Sequence, residues 1–172
     1  MFNETIPNPN NTMIRAAVRS DIPALLSIEN ASFHLDRINR RSFLHLLTQA
    51  NSTTLVDEKN KQVRGYLTLL FRANSALSRV YSIATHSDFF GMGVAAELLR
   101  VAEQIALRNH CGTMRLEIRM DNPNSLTFFK SHGYQKFGEY PSYYQDGMDA
   151  YRLYKPLTHL TRAHASPLTG SK

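Results

Sequence analysis

A glycine-containing segment, Gly91-Met92-Gly93-Val94-Ala95-Ala96, has the residue types and spacing of an anion-binding site. It follows a predicted strand and opens a predicted helix, whose first backbone N–H groups have no partner within the helix and whose dipole is positive at that end. Such a helix start can bind phosphate groups through the main chain alone. A tight helix entry that merely needs small residues would have the same sequence. Two interpretations are therefore open, a pyrophosphate site and a structural turn.

The same segment also fits the dinucleotide-binding pattern G-x-G-x-x-A, and Glu117 lies roughly 20 residues further on, where that pattern has an acidic ribose ligand. A dinucleotide-binding turn begins directly at the end of its strand, whereas five residues separate Thr85 from Gly91. That fold also needs several consecutive strand–helix units, and here a predicted antiparallel meander comes first. A nicotinamide-dependent enzyme is therefore not expected.

The composition excludes several classes of protein. With a single cysteine, Cys111, the chain can form no intramolecular disulfide and no Cys-rich zinc site, and we expect Cys111 to be a small buried residue. No apolar run approaches the roughly 18 residues of a membrane span, and Met1–Thr12 lacks the features of a secretory signal. We therefore expect a cytoplasmic protein with no membrane partner. The histidines show no metal-ligand spacing, so no metal is expected.

The charge balance favours basic residues, with 20 Lys and Arg against 14 Asp and Glu and a formal net charge of +6. Such a balance suits a polyanionic partner, but mildly basic domains are also common without one. Nucleic acid is not expected as a partner. The length fits one domain, and we expect residues 13–157 to form it between two polar tails, 1–12 and 158–172.

The periodicity of the domain predicts an α/β architecture in which an antiparallel meander precedes a strand–helix–strand unit. We expect Ser20 or Asp21 to cap the first helix, with Pro23 in its first turn. The predicted strands are 13–18, 53–57, 63–71, 79–85, 113–119, 134–140 and 150–155, and the predicted helices are 21–33, 40–49, 94–110 and 122–132.

At the glycine segment the sequence resembles the GNAT superfamily of acyl-CoA-dependent N-acetyltransferases, whose signature is (Gln or Arg)-x-x-Gly-x-(Gly or Ala). The matching residues are Phe90-Gly91-Met92-Gly93-Val94-Ala95. The order and spacing of further landmarks extend the resemblance from Met13 to Leu157. It is strongest to the bacterial ribosomal-protein alanine N-acetyltransferases, mainly through Leu116-Glu117-Ile118-Arg119 and Tyr143-Tyr144. The resemblance implies a mixed, mostly antiparallel sheet with helices on both faces.

The resemblance implies acetyl-CoA as co-substrate, bound largely by the main chain. Backbone amides from Met92 to Ala96 would bind the pyrophosphate, and the edge of the strand 81–85 would pair with the pantetheine arm. The implied cofactor-binding residues are Ile83, Thr85, Met92, Gly93, Val94, Ala95, Ala96, Asn122 and Phe129.

Two of these residues, and Phe90 at the start of the signature, differ from the family pattern or have a second interpretation. Asn122 resembles an asparagine that reaches the pantetheine, but an Asn before Pro123 is also an ordinary helix cap. Phe90 stands where the family usually has Gln or Arg, and we expect it to pack locally. Phe129 stands where many members carry a tyrosine that protonates the departing thiolate. A phenylalanine has no proton to give.

The resemblance also places Glu117 as the general base that deprotonates the acceptor amine. A glutamate alternating with Leu116 and Ile118 could instead simply lie on the solvent face of a strand. Water, Tyr143 or Tyr144 would replace the missing acid, although adjacent tyrosines in a polar loop are commonly half-buried packing residues. The implied catalytic residues are therefore Glu117, Tyr143 and Tyr144.

These residues imply an N-acetyltransferase acting on a primary amine, most naturally a protein N-terminus or a lysine. The alternatives are a small-amine acetyltransferase and a non-catalytic acyl-CoA-binding regulatory module. The acceptor groove would be formed by the loops 34–39 and 141–149, and the Arg37, Arg40 and Arg41 cluster would lie near its entrance or on a solvated helix end. We expect a protein or peptide acceptor and a monomer or homodimer.

Overall fold

The computed structural model describes residues 6–8, 12–49 and 51–158. Over these residues eight strands form one sheet in the order β1-β2-β3-β4-β5-β6-β8-β7, with four α-helices. All neighbouring strands are antiparallel except β5 and β6. The strands are β1 (Ile6–Asn8), β2 (Thr12–Ala16), β3 (Ser52–Lys59), β4 (Gln62–Phe71), β5 (Leu77–Thr85), β6 (Thr113–Arg119), β7 (Gln135–Tyr140) and β8 (Ala150–Pro156), and the helices are α1 (Ile22–Ser32), α2 (Arg40–Thr48), α3 (Val94–Arg108) and α4 (Pro123–Ser131).

The mixed, mostly antiparallel sheet has helices on both faces, as the resemblance implied. Leu55 and Val56 are neighbours in β3, so their side chains point to opposite faces of the sheet. Val56 packs in a core with α1 and α2, whereas Leu55 packs in a second core with α3 and α4. No helix in the described ranges is long and apolar enough to cross a membrane.

The N-terminal segment that the sequence predicts as a polar tail contains part of the sheet. Ile6–Asn8 pairs with β2, and Thr12 is already the first residue of β2. Composition does not reveal such a strand because its hydrogen bonds come from its partner, and three residues carry no period. Residues 1–5 and 9–11, and residues 159–172 of the predicted C-terminal tail, lie outside the described residues.

The start of α1 differs from the predicted cap. Asp21 lies at the N-cap position, but its carboxylate makes no cap hydrogen bond and Ser20 lies in a preceding 3-10 turn. The carboxylate accepts instead from Arg15 Nη1 at 2.7 Å and from the Val18 N–H at 2.8 Å. A charged donor on β2 is the stronger partner, so the ion pair prevails over the cap.

Two features of the sheet position the candidate site. Gly65 in β4 lets α3 approach closely, because a Cβ at this position would lie 2.7 Å from Val94 Cγ1 and 2.9 Å from the Ala84 carbonyl oxygen. The first turn of α3 is thereby held against β4, next to the end of β5. The parallel pairing of β5 with β6 spans only Leu77–Arg79 and 113–115, and the remainder of each strand is unpaired with the other. The two strands therefore diverge.

Candidate active site

A cavity of about 770 Å³ opens where β5 and β6 diverge. Residues of both strands line it, together with residues from the loop after α1, from α4 and from the loop between β7 and β8. Among the predicted site residues it brings together Ile83, Glu117, Asn122, Phe129, Tyr143 and Tyr144. Thr85 and the glycine segment do not line this cavity. Gly93 and Ala96 line a second cavity of about 360 Å³, between α3 and the end of α4.

The glycine segment forms a tight turn that ends at the start of α3. Gly93 has φ 77°, in the left-handed region that favours glycine, and a Cβ there would meet no atom within 4 Å. Because α3 begins at Val94, the N–H groups from Gly93 to Ala96 have no partner within the helix. The Met92 N–H donates to the Phe89 carbonyl at 3.3 Å, so it is already engaged. Four free amides and open space remain.

Phe90 does not pack locally, contrary to the sequence-based expectation. Its side chain is 67% exposed, and that of Met92 is 62% exposed. The packing role belongs to the preceding residue, Phe89, which lies against the α3 core with the Arg64 guanidinium 5.6 Å from its ring centre. The short 3-10 turn Ser87–Phe89 directs only one of the two phenylalanines inward.

Glu117 faces the cavity from the middle of β6. The neighbouring Leu116 and Ile118 are buried in the core on the other face of the sheet. The Glu117 side chain is only 11% exposed, and its Oε2 accepts from Arg79 Nε at 2.7 Å. A freely solvated residue on a strand surface would be far more exposed. The Glu117 carboxylate is therefore fixed on the cavity wall by its ion pair with Arg79.

Arg79 connects Glu117 to the tyrosine pair. Its Nη2 donates a hydrogen bond to the Tyr143 hydroxyl oxygen. The Tyr143 ring stacks on Tyr140 at 5.5 Å and meets Tyr144 edge-on at 5.0 Å. Burial raises the pKa of the Tyr143 hydroxyl, so Tyr143 is protonated at neutral pH and can donate its proton.

Tyr144 is held from the opposite side by Arg119, whose guanidinium lies 4.8 Å from the ring centre. Arg119 in turn donates to Asp121 at 3.0 Å and to Asp146 at 2.7 Å. This network ties the end of β6 to the loop between β7 and β8. Burial also raises the pKa of the Tyr144 hydroxyl. Both tyrosines are therefore neutral donors in fixed positions.

The two loops expected to form the acceptor groove touch each other. The Gln145 N–H donates to the Asp36 carboxylate at 3.3 Å. Arg37, nearby, folds back to donate to the His34 carbonyl at 3.0 Å. Arg40 and Arg41 lie exposed at the start of α2.

A buried glutamate lies at the base of the same cavity. Glu29 on α1 is 1% exposed and accepts from the Ile38 N–H at 2.8 Å and from the Tyr66 hydroxyl. Tyr66 is also 2.9 Å from the Ser82 hydroxyl on β5. Burial raises the pKa of Glu29, against the opposing effect of its two hydrogen bonds. The network fastens the loop after α1 to the sheet.

The structure supports the alternative interpretation of Asn122 as a helix cap. Its side-chain oxygen accepts from the Ser125 N–H at 3.0 Å, although Asn122 also lines the cavity. Phe129 is 4% exposed and packs edge-on against Phe128 and Tyr134. Cys111 is buried as predicted.

Sequence reasoning missed Arg79, Glu29 and Asp36. Arg79 lies on β5, a strand for which only main-chain binding was predicted. Its hydrogen-bond partner, Glu117, is 38 residues away in the sequence. Glu29 reads as a polar position on an amphipathic helix. It lies one residue after Ile28, at a position where the helical spacing calls for an apolar side chain, and this polar residue on the apolar face was the signal that could have identified it.

Comparison with known proteins finds similarity to N-acetyltransferases. A Bacillus subtilis (strain 168) protein named "Putative ribosomal protein bS18-alanine N-acetyltransferase" is 30% identical over 142 residues, which cover 79% of this chain and 92% of that protein. The N-alpha-acetyltransferase 30 of Saccharomyces cerevisiae is 28% identical over 100 residues, covering 58% of this chain. Those residues span about half, 49%, of the yeast protein.

A solved structure shares the fold. Ard1 from Thermoplasma volcanium superposes with a TM-score of 0.78 at 22% identity, covering 87% of this chain and 99% of that one. The acetyltransferase (GNAT) family matches residues 22–134, which is more than half of the chain. The match includes α1, the glycine turn and Glu117. The chain therefore belongs to the acetyltransferase (GNAT) family, as its motifs predicted.

Proposed function

We propose that this protein transfers the acetyl group of acetyl-CoA to the α-amino group of a protein or peptide N-terminus. One observation carries the proposal: hydrogen bonds link Glu117, Arg79 and Tyr143 on the wall of the cavity where β5 and β6 diverge. This set offers a proton acceptor and a proton donor beside an unpaired strand edge. The names of the curated relatives, which refer to N-terminal or alanine acetylation, agree with such an acceptor.

The residues present fit coenzyme A. The four amides from Gly93 to Ala96 and the open space beside Gly93 suit a pyrophosphate held by the main chain. The second half of β5, including Ile83, has an edge unpaired with β6, which suits the amide-bearing pantetheine arm. Ile83 lines the cavity that leads to Glu117. When bound, acetyl-CoA supplies the thioester that the amine attacks.

Glu117 acts as the general base in this proposal. An amine must lose a proton before it can attack a carbonyl, which at pH 7 costs roughly 4.6 kcal/mol for a lysine but only about 1 kcal/mol for an α-amine. Glu117 accepts that proton on Oε1, directly or through one water, while Arg79 holds Oε2. The lower cost for an α-amine favours an N-terminus over a lysine.

Tyr143 supplies the hydrogen-bond donor that Phe129 lacks. Its hydroxyl oxygen accepts from Arg79, so the hydroxyl hydrogen is free to point into the cavity. Releasing a thiolate of ordinary pKa near 8.5 at pH 7 costs roughly 2 kcal/mol. A hydrogen bond donated by the Tyr143 hydroxyl to the departing sulfur offsets a comparable amount, since hydrogen bonds to charged groups contribute roughly 1.5 to 3 kcal/mol, and the thiolate then takes its proton from water.

The test is an acceptor survey with purified protein and acetyl-CoA. Three sets are offered: peptides with free N-termini, the same peptides N-terminally blocked but containing lysine, and small amines. We expect release of free thiol and acetylation at the N-terminal residue with the first set only, read by thiol titration and fragmentation mass spectrometry. Acetylation confined to lysine or to small amines would contradict the acceptor assignment. Coenzyme A binding without thiol release in any set would indicate a non-catalytic module.

A further inference from the structure

Arginines and aromatic rings share the face of β6, β8 and β7 that bears Glu117. Arg115 lies two residues before Glu117 on β6, and Arg152 on β8 is the cross-strand partner of Glu117. Residues directly opposite in a pair, and residues two apart in a strand, project to the same face. On the adjoining β7, Phe137 is 39% and Tyr140 is 38% exposed. Solvent therefore reaches this face.

The rings hold both guanidinium groups in place. Arg152 lies 4.6 Å from the centre of the Phe137 ring and 4.1 Å from that of Tyr140. The Arg115 guanidinium lies 5.1 Å from the centre of the same Phe137 ring. Tyr154 supports Phe137 edge-on at 5.5 Å. These are cation–π distances, so the positive groups are ordered on the surface rather than free.

Neither arginine is neutralised within the part of the chain that the structure describes. Arg15, Arg64 and Arg119 each pair with a carboxylate, whereas Arg115 and Arg152 have none within ion-pair distance. The Nε atoms of both are buried and have no hydrogen-bond partner. Glu117, the nearest carboxylate in sequence register, is held by Arg79 instead. Two ordered positive charges are left for a ligand.

This arginine–aromatic face, defined by Arg115, Arg152, Phe137 and Tyr140, is continuous with the cavity. Tyr143 lines the cavity and stacks on Tyr140, with the two rings inclined by only 12°. Tyr140 in turn contacts Arg152. A polypeptide leaving the cavity past Tyr143 would run directly onto the arginine–aromatic face.

We infer that the arginine–aromatic face binds an acidic segment of the acceptor polypeptide, a few residues after the N-terminus that is acetylated. The inference rests on the proposed function. The rings of β7 lie two strands from Glu117 on β6, a span of about 10 Å at the usual strand spacing, and an extended chain advances about 3.3 Å per residue, so roughly positions 3 to 6 of the acceptor would reach the two arginines. Carboxylates are their complement in charge and in bidentate geometry. A peptide is favoured over nucleic acid because the face begins at the cavity that receives the amine.

The experiment compares three synthetic peptides with the same first two residues and with Glu and Asp, Gln and Asn, or Lys at positions 3 to 6. We expect kcat/KM to be about tenfold higher for the acidic than for the neutral peptide at low salt, and lowest for the basic one. The preference should shrink as ionic strength rises, since exposed charges are screened. Equal values for the acidic and neutral peptides in the unmodified protein would overturn the inference without any variant.

The variant arm uses Arg115→Gln with Arg152→Gln, and Arg152→Lys as a milder change. We expect the ratio of acidic to neutral kcat/KM to fall to about one in the double variant and to an intermediate value in Arg152→Lys. The matched control, Arg19→Gln with Lys61→Gln, removes the same charge from exposed residues in the turn before α1 and in the turn between β3 and β4, and it should keep the ratio of the unmodified protein.

Two outcomes separate this inference from the proposed function. If no peptide of any charge is acetylated, the proposed function fails first. If all three are acetylated at equal rates, or the double variant keeps the preference, only the acidic-segment inference fails. Tight binding of an RNA oligonucleotide that the double variant loses, without any preference among peptides, would overturn the inference in favour of nucleic acid.

Discussion

The two ends of the candidate site are built in different ways. At the glycine turn, the groups that suit an anion are main-chain amides from one continuous segment, Gly93 to Ala96. At the other end, Glu117, Arg79 and Tyr143 are side chains from a strand, a second strand and a distant loop. The first end tolerates unusual side chains, such as the exposed Phe90. The second end depends on the identity of each residue, so substitutions should affect the two ends differently.

The largest effect is expected from Glu117→Gln. The amide keeps the size and the hydrogen bond to Arg79 but cannot accept the amine proton, a role worth roughly 10²- to 10⁴-fold in rate. Turnover on the identified acceptor should fall by that factor and partly recover at high pH, where the free amine is abundant. Glu139→Gln, an exposed glutamate on β7, is the control and should keep full turnover. Wild-type turnover in Glu117→Gln would return Glu117 to a structural role.

Arg79→Gln should have the next largest effect. Without the guanidinium, Glu117 and Tyr143 lose their common anchor, and small displacements of reacting groups cost roughly tenfold to hundredfold in rate. Steady-state kinetics should show the loss mainly in kcat. Arg72→Gln, at an exposed arginine that follows β4 and lines neither cavity, is the matched control. A loss of equal size in both variants would point to general destabilisation.

Gly93→Val tests the main-chain end. The side chain would occupy the open space beside the free amides and would strain a backbone with φ 77°. Affinity for coenzyme A should weaken about tenfold, or roughly 1.4 kcal/mol, in a calorimetric titration. Gly91→Val carries similar strain at φ 75° but lies before the free amides, so it separates strain from blocked binding. Equal affinities in the two variants would argue against the pyrophosphate assignment.

The smallest effect concerns the stability of the protein and the buried carboxyl group of Glu29. Burial raises the pKa of Glu29 above the value in the unfolded chain, so the folded protein binds the extra proton and this group's contribution to stability falls as pH rises from about 4.3. Glu29→Gln removes that dependence. The free energy of unfolding of Glu29→Gln, relative to the unmodified protein, should therefore increase from pH 5 to pH 7.5 in urea titrations. A difference that is constant with pH would contradict the assignment.

The sequence predicts the regular elements well because their signals are local. The alternation of Leu116, Glu117 and Ile118 and the helical spacing after Gly93 each lie within one element. The strand Ile6–Asn8 and the ion pair of Asp21 with Arg15 were not predicted, since each depends on a partner elsewhere in the chain.

The same distinction holds within the candidate site. The glycine turn can be predicted from the sequence because a positive φ favours glycine at one position in a short segment. The roles of Arg79 and Glu29 cannot be predicted in the same way, because their hydrogen-bond partners lie on another strand or in another loop. A 3-10 turn determines that Phe90 rather than Phe89 is exposed, and the sequence has no periodicity from which the direction of that turn could be predicted.

The central claim is that Glu117 serves the acceptor end of the cavity and takes no part in binding coenzyme A. Its most direct test is a calorimetric titration of coenzyme A into Glu117→Gln protein that has lost turnover. We predict a Kd within about twofold of the unmodified protein, because the amides from Gly93 to Ala96 are untouched. A Kd weakened tenfold or more would contradict the separation of the two ends.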